Sequence, residues 1–96
     1  MRITNAHLEA QVNRLNTMTG QDVARYHKNN LGKLVGNVGN YSISRAYGGV
    51  SLHQMANEFG GIYDVFRCGY ESKRELNSRI EAFMLGIELE VLDNAS

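Results

Sequence analysis

The chain has no proline and no tryptophan, and Cys68 is its only cysteine. A chain without proline has no stiff polyproline spacer. One cysteine excludes an internal disulfide, and no secretory signal pattern precedes it. A reducing, intracellular setting is therefore expected. No apolar run approaches the roughly 20 residues of a membrane-spanning helix, so no membrane association is expected. Charge of one sign is also missing: ten Lys and Arg balance ten Asp and Glu. That balance disfavours a protein that binds nucleic acid by charge alone. The distribution is uneven, however. Residues 1–80 hold ten basic and six acidic side chains, net +4, whereas Glu81, Glu88, Glu90 and Asp93 leave residues 81–96 at net −4.

What is present is enough for one folded domain. The 96 residues are 43% hydrophobic, ordinary for a globular protein and too apolar for a disordered one. Ten glycines point to tight turns and bulges. Leu8, Val12 and Leu15 form one apolar stripe at helical spacing, so residues 4–18 read as a first helix. Thr4 or Asn5 caps its start, Gly20 ends it, and Glu9, Asn13, Arg14 and Asn16 make the solvated face. Residues 21–32 carry no clear period, and Lys28 to Lys33 is a turn by composition. Lys33 to Val38 then reads as a short strand.

The stretch "NYSISRAYGGVSLHQMAN" reads as a hairpin. A two-residue turn at Gly48-Gly49 pairs Tyr47 with Val50, Arg45 with Leu52 and Ile43 with Gln54. One face, with Tyr41, Ile43, Tyr47, Val50 and Leu52, is bulky and builds the core; Arg45 fits it poorly. The other carries Ser42, Ser44, Ser51, His53, Met55 and Asn57. A rival reading makes Ser51 to Gln54 a capping box opening a helix toward Phe59. A third strand is expected at residues 62–66. Ser72-Lys73-Arg74-Glu75 is a capping box before Leu76, Ile80, Phe83 and Ile87, a second helix over residues 72–90. The expectation is a single α+β domain over residues 1–96. Its order is α-β-β-β-α, with an antiparallel meander within residues 33–66 covered on one face by both helices.

Chemistry-bearing residues are sparse. His7, His27 and His53 stand at no metal-ligand spacing to one another or to Cys68. His53 beside Ser44 forms at most a Ser-His pair without an acid to orient it, and ordinary sheet neighbours explain it better. Cys68 lies near a helix start and an arginine, which lowers a thiol's pKa, yet a small residue at a loop corner is the simpler account. Neither a G-x-G-x-x-G nor a phosphate-binding loop is present. No catalytic site, metal or cofactor is expected. The order α-β-β-β-α is shared with double-stranded-RNA-binding domains, which use a basic cluster at the last helix. Arg45, Lys73, Arg74 and Arg79 would serve a nucleic-acid-binding regulator of that kind.

The segments "RLNTMTG", "GNYSISRAYGGVSLHQMANEFGG" and "DVFRCGYESKRELNSRIEAFMLGI" resemble small uncharacterised proteins encoded by tailed phages and prophages. The resemblance implies expression inside a bacterium and no particular activity. The expected function is an accessory protein that binds a host or phage protein, in the manner of small anti-defence and anti-CRISPR inhibitors. Its binding surface would be Ser42, Ser44, Ser51, His53, Met55 and Asn57, with Met55 as the apolar anchor. A homodimer is expected through a sheet edge or the last helix, where Met84, Leu85, Leu89 and Val91 lie off the main stripe.

Overall fold

The computed structural model describes residues 2–95, with side chains described through Val91. Its elements are α1 (Asn5–Met18), β1 (Tyr26–Lys28), β2 (Leu34–Gly36), β3 (Tyr41–Ala46), β4 (Gly49–Met55), β5 (Ile62–Asp64) and α2 (Lys73–Ala95). The fold is a single α+β domain. An antiparallel sheet in the order β3-β4-β5 carries both helices on one face, and β1 and β2 form a separate two-stranded arm.

Both helices start as their sequences dictate. Thr4 Oγ1 accepts a hydrogen bond from the His7 N–H at 3.1 Å, capping α1. Ser72 Oγ accepts from the Glu75 N–H at 3.1 Å and donates to the Glu75 carboxylate at 2.8 Å, capping α2. Leu8, Val12 and Leu15 of α1 and Leu76, Ile80 and Met84 of α2 are buried against Tyr41, Ile43, Val50 and Leu52. Fully burying a leucine such as Leu52 contributes roughly 1.5–3 kcal/mol. Tyr41 and Phe66 meet the Phe83 ring edge-on at centroid distances of 6.0 and 5.6 Å. Between the helices the seam is polar. His7 Nε2 bonds Asn77 Oδ1 at 2.8 Å, and Gln11 Nε2 donates to the Asn77 carbonyl at 3.2 Å.

Four expectations are corrected. Asn16 is fully buried rather than solvated. The hairpin turn is Tyr47-Gly48, with φ of 53° and 74°, so Arg45 pairs with Val50 and Ile43 with Leu52. Positive φ at both central residues matches the right-handed twist of the strands. The shift is two residues, which keeps every side chain on its expected face. Tyr47 alone leaves the core set: as a turn residue it is 95% exposed. Residues 49–55 are strand, as the hairpin reading expects, and the rival helix is not formed. Finally, β2 does not join the meander but pairs with β1, Tyr26 opposite Gly36 and Lys28 opposite Leu34.

The molecule is a plate. Its principal extents are 44, 43 and 22 Å, and its radius of gyration is 14.4 Å, against roughly 12.5 Å for a compact domain of this length. Among the described residues, no helix is long and apolar enough to cross a membrane.

Candidate binding surface

Strand alternation sends Ser42, Ser44, Ser51, His53 and Met55 to the sheet face away from the helices. That face is not open. Two covers lie on it, and each follows from a particular residue.

Asp64, the last residue of β5, sets the first cover. Its Oδ1 accepts from the N–H groups of Phe66 and Arg67 at 3.2 and 3.1 Å, and its Oδ2 from Gly69 N–H at 2.8 Å. These bonds hold a tight loop in which Arg67 takes a φ of 56°. The loop then turns back to the sheet, where the Glu71 backbone bonds Val50 in both directions at 2.8 and 2.9 Å. Tyr70 is thereby laid over the face. Its hydroxyl bonds Ser44 Oγ at 2.8 Å. Its ring meets His53 edge-on at 6.1 Å and Tyr47 at 5.5 Å. Tyr47, Tyr70 and His53 form one aromatic row.

The second cover is the arm. Gly36 donates its N–H to the Glu58 carbonyl at 2.8 Å. It lies so close to Met55 that an added Cβ would stand 3.0 Å from the sulfur.

The expected surface residues are therefore redistributed. Ser51 is 1% exposed and Met55 3% exposed, so neither can meet a partner and Met55 is no anchor. Hairpin alternation is blind to both covers, which come from distant segments. Asn57 is exposed but organises a turn, its Oδ1 accepting from the N–H groups of Phe59 and Gly61 at 2.9 and 3.0 Å. Ser42, Ser44 and His53 remain partly accessible.

Register also brings Ser42, His53 and Asp64 into one cross-strand row. The residue types are those of a nucleophile, a base and an acid, but the chemistry does not follow. Both Asp64 oxygens hold backbone N–H groups of the loop, and His53 rests its ring on Tyr70. Neither arrangement orients an imidazole toward a serine hydroxyl. Cys68 is exposed, and its thiol is pushed above the ordinary value by desolvation first and the Glu71 carboxylate second. The Arg79 guanidinium, which lowers it, does not prevail. Among the described residues, no three His, Cys, Asp or Glu side chains gather to hold a metal ion.

The basic set is not one cluster. Arg45 bonds the Glu9 carboxylate at 2.7 Å and Asn5 Oδ1 at 3.3 Å. Arg79 Nε bonds both Glu71 oxygens, at 2.8 and 3.0 Å. Lys73 shares an open cleft with Arg45 beside Gly48, and Arg74 follows it in the first turn of α2. Arg79 stands six residues beyond Lys73, about 240° around the helix at 3.6 residues per turn, so it faces elsewhere.

The residues that sequence reasoning missed are Tyr47, Asp64 and Tyr70. An acidic residue five positions before a glycine was the only local sign of the loop. No family model matches the chain, and neither a curated protein nor a solved structure matches it.

Proposed function

We propose that this chain is a non-enzymatic binding protein that docks its Tyr47–Tyr70–His53 face onto a folded protein partner. One observation carries the reading. Tyr47 is a bulky residue held at a φ of 53° and 95% exposed. A side chain in this conformation costs about 1 kcal/mol or more relative to glycine, and asparagine or glycine suits such a turn better. Folding therefore does not account for a tyrosine here, whereas an exposed ring already braced against a second ring suits recognition. Tyrosines lose little rotamer freedom on binding and dominate many interfaces.

Two further facts support a protein partner over a nucleic acid. Net charge is zero, and Glu9 and Glu71 already neutralise Arg45 and Arg79. The sequence segments that resemble tailed-phage proteins support a partner inside an infected bacterium as part of this proposal. The reading is accordingly a phage or prophage accessory protein that engages a host or phage protein, with anti-defence inhibition, anti-CRISPR included, as its most specific form. The test is affinity capture from infected or lysogenic cells with the native chain and with Tyr47→Asn and Tyr70→Ala variants as baits. A protein retained by the native chain and lost from both variants supports the reading. No retained protein, or equal retention by all three, contradicts it.

A further inference from the structure

We propose that the seam between α1 and α2 holds a small organic primary amine, its ammonium group donating to Gln11 and Glu81. The seam carries a groove of about 280 Å³, near the lower end of small-ligand sites, which often lie between packed helices. It is lined by His7, Ala10, Gln11, Arg14, Glu81 and Met84. Gln11 and Met84 are 8% and 7% exposed and form its floor. The other four are exposed and form its rim. One atom of the floor has no role in the fold. Gln11 Oε1 is buried with no hydrogen-bond partner among the described residues. Turning the amide round does not help, because Nε2 donates to the Asn77 carbonyl at 3.2 Å and an oxygen there would face another acceptor. An unpaired buried acceptor opposes folding, and leucine or methionine would serve packing better. The oxygen gains a use when a donor enters the groove.

Asn77, itself 7% exposed, fixes the groups around that atom. Its Nδ2 donates to Glu81 Oε1 at 3.4 Å, which turns its Oδ1 toward His7 Nε2 at 2.8 Å. That nitrogen must carry the hydrogen, so Nδ1 of a neutral His7 ring is an acceptor as well. Arg14 on the rim is engaged by Glu88 at 3.4 Å, whereas Glu81 makes no ion pair among the described residues. The lining therefore offers acceptors and one uncompensated negative charge. A primary ammonium answers both, with three donors on a compact cation. Ala10 and Met84 give a short alkyl stem an apolar wall. The groove lies on the helix side of the sheet, away from the Tyr47–Tyr70–His53 row, so this proposal stands or falls without the binding face.

The test is NMR titration of the isotopically labelled whole chain at low salt with n-butylammonium, with tetramethylammonium and n-butanol as controls. Butylammonium is expected to give saturable shifts of the Gln11 side-chain amide and of backbone amides in residues 7–14 and 77–84. Tetramethylammonium, a cation without N–H groups, is expected to bind about tenfold more weakly or not at all. Gln11→Met should weaken butylammonium binding about tenfold, and Glu81→Gln about fivefold. No saturable shift at about 100 mM overturns the proposal. So does an equal response to butylammonium and either control, or undiminished affinity in either variant. Should Gln11→Met fail to fold, Glu81→Gln, a change at an exposed position, decides alone.

Discussion

The side chain of Asn16 pairs with the backbone of Tyr41 in both directions: Nδ2 donates to the Tyr41 carbonyl at 3.0 Å, and Oδ1 accepts from the Tyr41 N–H at 2.8 Å. One amide thus supplies what a neighbouring strand would supply. Tyr41 opens β3, an edge strand of the sheet, and α1 closes that part of the edge with a single residue. Asn16→Ala leaves a buried donor and a buried acceptor together, which costs about 2–4 kcal/mol. Urea unfolding followed by circular dichroism should show that loss. Asn16→Asp should also destabilise, because a carboxylate keeps the acceptor but sets charge against the Tyr41 carbonyl.

The arm is held by a close approach. An added Cβ at Gly36 would stand 2.8 Å from the Asn57 carbonyl oxygen as well as 3.0 Å from Met55. Gly36→Ala must push the arm away from the sheet. Amide exchange in residues 26–28 and 34–36 should accelerate at least tenfold, while the amides of β4 keep most of their protection, because the main core lies on the other face.

Cys68 is accessible yet its thiol is raised above the usual range, by desolvation and then by Glu71. The raised thiol holds less thiolate at neutral pH than a small free thiol, so its exchange with a disulfide at pH 7 should be slower and should accelerate as the pH is raised. Glu71→Gln removes a negative charge that opposes ionisation. The variant's thiol should titrate lower and react faster at pH 8. Rates measured with a chromogenic disulfide check both statements.

The parts of the fold that could be read from sequence are those whose signals are local. The spacings 8, 12, 15 and 76, 80 bury the residues they single out, 83 and 87 pack half-buried against the same core, and the Ser72–Glu75 cap starts α2 where expected. The hairpin's two faces were legible because a period of two survives a register shift of two. Tyr47 as a turn residue was not legible, since propensity assigns a bulky ring to the strand and not to a left-handed position. Asn16 was hidden for a related reason: a polar residue on a helix reads as solvated unless its partner, 25 positions away, is known. β1 is three residues, too short for any period to show, so the strand expected at 33–38 gave no sign of its partner. The covered sheet face depends on Asp64 and Tyr70, and a loop that returns to a sheet leaves only its turn residues in the sequence. The candidate surface shifted accordingly, from serines and Met55 to an aromatic row of which only His53 was anticipated.

Tyr47→Asn separates folding from binding in one preparation. Asparagine accepts the left-handed conformation, so the variant should be stabilised by about 0.5–1 kcal/mol, a rise in Tm of about 2–8 °C. Its affinity for the captured partner should fall at least tenfold. Thermal unfolding and partner titration of the same sample are therefore the decisive pair. A variant that melts higher and binds more weakly agrees with the account. One that melts lower, or binds as tightly as the native chain, would show that Tyr47 serves the fold and that this face is not the binding surface.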